Sequence, residues 1–344
     1  MKGKLIIVFI IIVVSICFFI YFTSIDNLEI ELLTMPLIET VKTESPLVYQ
    51  FPNWKSNDTV YYPSNASILP VEQQYIMNIR YIKYNDILNK KITQKTKNLS
   101  IFLDSSYKPI GETTLMSENY EPKGINRPEG LEDIRLFYHQ NQLKCIASCG
   151  NITEKKIVIV IGDYDIKNKL INNIKIIDSP TSSFIEKNWC FIKDEFVSKL
   201  NSYESDKMNF IYSWYPLSIG YINNKSLNIY AQIDVPPIFK RFRGSTIVVK
   251  DNQNRLWCLV HFTYGYYKYR NTRLTYYHCL VQFEYGTMKP LSITNPFIFF
   301  DKGIEYCIGF NIDEMNIASF VVTVNDINPS LIRIPLDTFQ QIIL

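Results

Sequence analysis

Short apolar runs separated by turn residues dominate the chain after residue 57. Apolar and polar positions alternate over residues 134–147, and this pattern predicts a hairpin around residues 139–142. Helical periodicity is rare, and the best short helix is expected near residues 193–200. The apolar run at residues 155–161 carries no Gly-x-Gly-x-x-Gly sequence, which argues against a dinucleotide-binding fold. The pattern predicts an all-β domain.

This domain contains repeats of about fifty residues, the spacing typical of propeller blades. Each repeat opens with a polar or charged cluster and continues into two or three apolar strands. In a β-propeller the innermost strand of each blade lines a central channel, so the opening clusters converge on one pocket. The sequence therefore predicts a five-bladed β-propeller over residues 57–344. The openings lie at residues 65–68, 132–135, 186–189, 242–246 and 304–307.

The N-terminal region predicts a membrane anchor. Residues 5–23 form an uncharged apolar run about as long as a membrane-spanning helix. Lys2 and Lys4 precede it and Asp26 follows, so the positive-inside rule predicts a single-pass type II orientation with the propeller lumenal or extracellular. A cleaved signal peptide is the alternative, but residues 21–26 lack a small-x-small cleavage site. We expect an anchor at residues 1–23 and a polar stalk at residues 24–56.

Composition narrows the function classes. The 344 residues are 47% hydrophobic and 14% aromatic, which is enough for a large core. The net charge is +3 and charges of both signs are interspersed. The sequence therefore has no basic stripe of the kind that binds nucleic acid, and a nucleic-acid partner is not expected. The richness in Ile, Asn, Lys and Tyr fits an AT-rich genome and is compatible with a viral source.

Cysteine and asparagine patterns add little chemistry. Six of the seven cysteines follow the apolar N-terminal run, where disulfides are permitted, although several lie in apolar strands and fit buried thiols. Cys145 and Cys149 have no second cysteine pair or nearby histidine, so we expect no metal, and we expect no cofactor either. Acceptor patterns for N-glycosylation occur at Asn57, Asn65, Asn98, Asn151 and Asn224.

Residues 130–137 set Glu132, Asp133 and Arg135 at the mouth of an apolar strand, where functional sites are often built. If the two carboxyl groups lie together in a partly dry channel, Glu132 raises one pKa of the pair and keeps a proton available. The alternative is that the acids pair with Arg127 or Arg135 on a solvated turn.

Further motifs follow in a fixed order. Asn65-Ala66-Ser67 is followed by Arg80, and Gly130-Leu131-Glu132-Asp133-Ile134-Arg135 comes next. Residues 186–189, 210–217, 243–245, 277–278, 303–309 and 324–326 complete the series. Together they resemble the five-bladed propellers of the inverting β-mannoside phosphorylases and hydrolases, with related β-mannosyltransferases and giant-virus proteins. Ala66 and Ile134 stand where that family has proline, so a stiffening of each turn is lost.

The resemblance implies a sugar site in the channel, with Asp133 as the general acid and Glu132 beside it. An inverting reaction then needs either a second carboxylate that activates water or an anionic nucleophile such as phosphate. The resemblance implies substrate contacts from Asn65, Arg80, Arg135, Lys187, Asn188, Trp189, Arg243, Tyr277, His278 and Glu305. Candidates to stack on a sugar ring are Trp189, Trp214, Tyr215, Tyr276 and Tyr277.

Four cations are candidates for a phosphate clamp, namely Arg80, Arg135, Lys187 and Arg243. The alternative is that these cations pair with Glu132, Glu186 and Glu305 and only neutralise a structural channel.

We therefore expect a membrane-anchored enzyme that acts on β-mannoside-like glycans as a glycosyltransferase, phosphorylase or hydrolase. Its expected partners are a glycan, phosphate or a nucleotide sugar, and the membrane through residues 5–23. The alternative is a catalytically inactive propeller that binds carbohydrate or serves as a structural protein, for example of a giant virus. A channel with Asp133 inside and cations opposite distinguishes the first expectation from the second.

Overall fold

A computed structural model describes residues 51–83, 95–119, 130–151, 156–264, 274–300 and 303–344. All of these belong to one compact unit, residues 38–344. The expected anchor, most of the expected stalk and Arg127 lie outside the described residues. No helix within the described ranges has the length and apolar character needed to cross a membrane.

Strands account for most of the described chain, and they form successive antiparallel units. The first unit contains β1 (Trp54–Ser56), β2 (Thr59–Val71), β3 (Gln74–Lys83), β4 (Lys95–Leu103) and β5 (Pro109–Glu118). The second contains β6 (Glu132–His139), β7 (Gln142–Asn151), β8 (Lys156–Asp165) and β9 (Leu170–Ile177). The third contains β10 (Cys190–Ile192), β11 (Asn209–Trp214), β12 (Leu217–Asn223) and β13 (Ser226–Ile233).

The fourth unit contains β14 (Arg243–Gly244), β15 (Val249–Lys250), β16 (Leu256–Tyr264), β17 (Thr275–Phe283) and β18 (Pro290–Thr294). The fifth contains β19 (Glu305–Ile312), β20 (Ile317–Val324) and β21 (Ile327–Pro335), after which β22 (Gln341–Ile343) pairs with β18 of the fourth unit. Short 3₁₀ helices lie at Asp194–Val197, Pro237–Arg241 and Leu336–Thr338, and the first confirms the helix expected near residues 193–200.

The expected all-β, propeller-like fold is confirmed. Within each unit, neighbouring strands are antiparallel. Among the described strands, the only parallel pairing is a short one between β5 and β9, which joins the first two units. The predicted hairpin is also present, since β6 and β7 meet through Gln140 and Asn141. Both turn residues have positive φ angles of 50° and 59°, as a two-residue turn between twisted strands requires.

The core lies between the units. The first strand of the fifth unit packs so closely on the first unit that a Cβ added at Gly309 would lie 2.7 Å from the Ala66 carbonyl oxygen. Ala66 and Ile134, which stand where the resembled family has proline, are both fully buried. They therefore contribute apolar packing to the strands that carry Asn65 and Asp133.

Several expectations about side chains are settled by burial. Cys145, Cys149, Cys190, Cys258, Cys279 and Cys307 are buried free thiols. Of the glycosylation patterns, Asn65 and Asn98 are buried, whereas Asn57 and Asn224 lie on exposed turns.

Candidate active site

Arg80 lies at the centre of a largely buried cluster formed by residues of the first three units. Its guanidinium donates to Glu132 Oε1 at 2.5 Å and to Asp133 Oδ1 at 3.0 Å. Lys187, at the start of the third unit, donates to Glu132 Oε2 at 3.2 Å. Asn65 Nδ2 donates to Asp133 Oδ1 at 2.8 Å. The structure thus brings together these five residues, which the sequence predicted to share a site.

A β-bulge makes this cluster possible. Consecutive residues of a regular strand point to opposite faces, so Glu132 and Asp133 should diverge. The pairing of β6 with β7 instead shifts register between Glu132 and Arg135, and Asp133 takes a left-handed φ of 53°. The bulge turns both carboxylates towards Arg80.

The charges around Asp133 keep it ionised. Burial acts to raise its pKa, but the charges of Arg80 and Lys187 and the hydrogen bond from Asn65 outweigh burial and hold the pKa below its ordinary value. This direction is opposite to the one expected for a carboxyl group beside Glu132. The physical reason is that Arg80 pairs with both carboxylates and screens their repulsion.

A second carboxylate, Asp326, shares the same field. It lies in the turn between β20 and β21, where Asn325 and Asp326 have φ angles of 53° and 60°. The Asn325 amide donates to the Ile304 carbonyl oxygen at 2.8 Å, which fixes the turn beside the start of β19. Asp326 is exposed as a residue, but partial desolvation of its carboxyl group, followed by repulsion from Asp133, raises its pKa. Asp326 belongs to the motif at residues 324–326 but is not among the predicted site residues.

Arg135, in the second unit, organises a neighbouring network with residues of the third, fourth and fifth units. Its guanidinium donates to the Ser245 carbonyl oxygen at 2.6 Å and to the Tyr306 hydroxyl at 3.1 Å. Tyr306 in turn donates to Asn188 Oδ1 at 2.8 Å. Arg135 and Asn188 are therefore brought together as predicted, whereas Tyr306 was not predicted as a site residue.

A histidine supports this network from the fourth unit. His261 Nδ1 lies 2.8 Å from Ser245 Oγ, and its ring stacks on Tyr276 with 5.6 Å between ring centroids. Burial, followed by the interactions with the neighbouring His278 ring and with the charged Arg243, lowers the pKa of His261 well below its ordinary value. The imidazole is therefore neutral at physiological pH.

Some predicted site residues instead belong to the core. Trp189 is fully buried, packs against Phe210 and donates to Glu186 Oε2 at 3.0 Å, so its ring has no face for a sugar. His278 is also fully buried, with its ring centroid 4.8 Å from that of Phe299.

Two further predicted site residues, Glu305 and Tyr277, make contacts within the protein that account for their positions without a ligand. The Glu305 carboxylate accepts the backbone amides of Phe299 and Phe300, each at 2.8 Å. Tyr277 is half-buried and stacks on Phe262. Of the acids proposed to neutralise the channel, Glu132 pairs with cations, whereas Glu186 accepts hydrogen bonds from Ser179 and Trp189.

A cleft of about 580 Å³ lies beside the cluster, between the third and fourth units. Its lining includes Lys187, Lys240 and Arg243 together with Trp214 and Tyr215, and we call it the cationic cleft. Arg243 is thereby placed next to Lys187, as predicted, but in this cleft rather than against Arg80. The site as a whole has buried carboxylates on one side and exposed cations on the other.

Comparison with known proteins shows which fold this is. No protein-family model and no curated protein matches the sequence. A solved structure of the GH130 family of mannoside phosphorylases, described as containing hydrolases that target β-1,2 mannosidic linkages in Candida mannan, matches with a TM-score of 0.58 and 8% identity over 87% of this chain and 97% of that chain. The β-1,2-mannobiose phosphorylase of Listeria innocua, in complex with β-1,2-mannobiose, matches with a TM-score of 0.56 and 11% identity over 86% and 96%.

A mannose phosphorylase from Leishmania mexicana, in complex with a phosphate ion, matches with a TM-score of 0.50 and 11% identity over 88% of this chain and 92% of that chain. These likenesses show a shared fold over nearly the whole described unit. The likenesses confirm the expected fold, and they extend to the fold alone.

Proposed function

We propose that the chain is a carbohydrate-active five-bladed propeller whose channel binds a β-mannoside-type glycan and whose Asp133 takes part in making or breaking a glycosidic bond. The observation that carries this proposal is the position of Asp133, held by Asn65 and Arg80 on the bulged strand β6. Two structures of the same fold are those of enzymes described as mannoside or mannose phosphorylases, and one of them holds mannobiose. Membrane anchoring and a place in a giant-virus branch remain part of the proposal.

The carboxylate of Asp133 is suited to contact a sugar. Both of its hydrogen bonds to described residues go to Oδ1, so Oδ2 is left to accept a hydrogen bond from a ligand hydroxyl. Asn65 supports this role, because its amide donates to Oδ1 and so fixes the orientation of the carboxylate. A single ligand hydroxyl group then satisfies Oδ2.

The charge of Asp133 determines which role it plays. For phosphorolysis or hydrolysis Asp133 must deliver a proton, which requires a higher pKa than the cluster allows. An anion that binds Lys187 neutralises one of the charges that lower this pKa, so anion binding favours the acid form. For transfer from an activated donor, the ionised form instead accepts a proton from the acceptor.

A catalytically inactive, glycan-binding propeller is the second candidate. It is favoured by the pairing of Arg80 with Glu132 and Asp133, which satisfies these charges without a substrate. Binding without turnover would follow if no ligand displaces this arrangement.

The test incubates the full chain with manno-oligosaccharides alone, with phosphate and with nucleotide-mannose, and identifies products by mass spectrometry. Asp133→Asn is compared with Asp337→Asn, which changes an exposed carboxylate in a 3₁₀ helix and serves as the charge-matched control. Products lost only in Asp133→Asn support the proposal. Binding of the oligosaccharides without products supports the second candidate, and the absence of both in the folded protein overturns the proposed function.

A further inference from the structure

Two buried cysteines from different units lie on either side of one short segment. Cys190 begins β10 in the third unit, and Cys258 lies in β16 in the fourth. Both side chains are fully buried free thiols. Residues 243–250 pair with β16 through β14 and β15, and within them Val248 donates its amide to the Phe191 carbonyl oxygen at 2.9 Å. One segment therefore connects the two strands that carry the cysteines.

Both sulfur atoms lie against this segment. A Cβ added at Gly244 would lie 2.2 Å from Cys190 Sγ, so a residue without a side chain is what leaves room for this sulfur. Cys258 Sγ donates to the carbonyl oxygen of Thr246, the second residue after Gly244, at 3.6 Å. The two thiols also contact each other through a hydrogen bond between their side chains. They are therefore neighbours at the junction of the third and fourth units.

The folded protein keeps this pair in the thiol form. Burial, followed by the hydrogen bond with Cys190, raises the pKa of Cys258 well above its ordinary value. The charge of Arg135 lowers this pKa but does not outweigh burial. The thiolate is the nucleophile in disulfide exchange, so Cys258 is unreactive once it is buried. Exchange with a small disulfide must then take place before the third and fourth units close on each other.

We propose that Cys190 and Cys258 form a disulfide bond when the chain folds in the presence of a small-molecule disulfide such as oxidised glutathione. One cysteine thiolate attacks a sulfur of the oxidant, which gives a mixed disulfide and releases one glutathione thiolate. The other cysteine thiolate attacks the protein sulfur of the mixed disulfide and releases the second glutathione. The two protons of the cysteine thiols end on the two released thiolates, so the protein is oxidised and glutathione disulfide is reduced. This inference does not depend on the proposed function.

The bond lies directly behind the Arg135 network. Cys190 Sγ donates to the Asn188 carbonyl oxygen at 3.6 Å, and the Asn188 side chain accepts from Tyr306. The disulfide links the third unit to the fourth and closes a long loop, which restrains the unfolded chain more than a short loop does. The proposed membrane anchoring agrees with this bond, because disulfides form and persist outside the cytosol.

The test refolds the full chain from urea in a mixture of reduced and oxidised glutathione, and in parallel with a thiol reductant alone. Free thiols are then blocked, and peptides are identified by mass spectrometry without reduction. After oxidative refolding, a linked pair of peptides that contains Cys190 and Cys258 is expected, and the other described cysteines are expected to be blocked. If Cys190 and Cys258 are both blocked, or are linked to other cysteines instead, the inference is overturned.

Stability gives a second readout. The urea midpoint of the wild type is expected to be higher after oxidative than after reductive refolding. Cys190→Ala and Cys258→Ala are each expected to abolish this difference. The control is Cys279→Ala, because Cys279 is equally buried and burial alone raises its pKa.

This control is expected to keep the difference between the two preparations. Each variant is compared only with itself, so the packing lost in the variant cancels. A difference that persists in Cys190→Ala, or that also disappears in Cys279→Ala, overturns the inference. If a variant does not fold, the peptide map of the wild type decides the question.

Discussion

Arg80 and Asp133 form an ion pair between the first and second antiparallel units, with 3.0 Å between Arg80 Nη1 and Asp133 Oδ1. Both side chains are largely buried, and Arg80 also pairs with Glu132. Removing Arg80 leaves Asp133 without its ion-pair partner and Glu132 with Lys187 alone. Arg80→Gln is therefore expected to lower the free energy of unfolding by about 3–5 kcal/mol, measured by urea denaturation. Lys207→Gln, which breaks an exposed pair with Glu204, should cost less than about 1 kcal/mol. Similar losses in the two variants would contradict this account.

Asp133 should make stability depend on pH in the acid range. Its folded-state pKa is lowered, so its contribution to stability is fully present above the unfolded pKa of about 4 and is lost as the pH falls through the folded pKa. Asp133→Asn should be less stable than the wild type at neutral pH, and the difference should shrink on acidification. Denaturation at a series of pH values measures it.

Asp326 should show the opposite trend, because its pKa is raised. Its contribution is present below the unfolded pKa and is lost as the pH rises through the folded pKa. The stability of Asp326→Asn relative to the wild type should therefore increase between acid and neutral pH. A constant difference for either variant would show that its carboxyl group titrates normally.

The histidines should not act as switches near neutral pH. Burial lowers the pKa of His278 to about 3 and that of His261 well below its ordinary value. The half-exposed His139 also has a lowered pKa, from burial and the charge of Lys144. We expect the NMR signals of the His261 and His278 rings to show neutral imidazole down to about pH 5, which is below the ordinary pKa of histidine. NMR titration of the three histidines tests this, and a midpoint near 6.5 for either buried ring would contradict it.

Gly244 allows the third and fourth units to approach each other at the site. A Cβ there would lie 2.2 Å from Cys190 Sγ and 2.4 Å from the Asn188 carbonyl oxygen. Gly244→Ala is expected to destabilise the protein by about 1–3 kcal/mol and to displace Asn188. Urea denaturation and the side-chain amide signal of Asn188 measure the two effects. Adding Cys190→Ala should recover only part of the loss, because the contact with the carbonyl remains.

Much of the site could be predicted from sequence because its motifs occur in a recognisable order. Asn65, Arg80, Glu132, Asp133 and Lys187 meet as expected. The bulge could not be predicted, since regular alternation places Glu132 and Asp133 on opposite faces. The field that lowers the pKa of Asp133 depends on this bulge, and so the direction of that pKa was missed as well.

The alternation of apolar residues could have shown that His278 and Trp189 belong to the core and not to the site. His278 shares its strand face with Leu280, and Trp189 lies two residues before Phe191, and these partners belong to core clusters. Asp326 also had a signal in the sequence, because Asn325 and Asp326 form the two-residue polar connection typical of a hairpin. No sequence signal predicted the cationic cleft. Lys240 lies in a short 3₁₀ helix close to Arg243 in the chain, but it belongs to none of the motifs.

The partners in the Arg135 network are far apart in the chain. Arg135 lies 110 residues from Ser245 and 171 from Tyr306, and Tyr306 lies 118 from Asn188. Contacts of such large sequence separation form slowly, because the chain entropy lost in closing each loop precedes the energy gained. The network therefore cannot assemble in a partly folded intermediate made of two or three neighbouring units. Ligand affinity should therefore appear only in the last step of refolding. A ligand should slow unfolding of the native protein, but it should not accelerate the earlier steps of refolding.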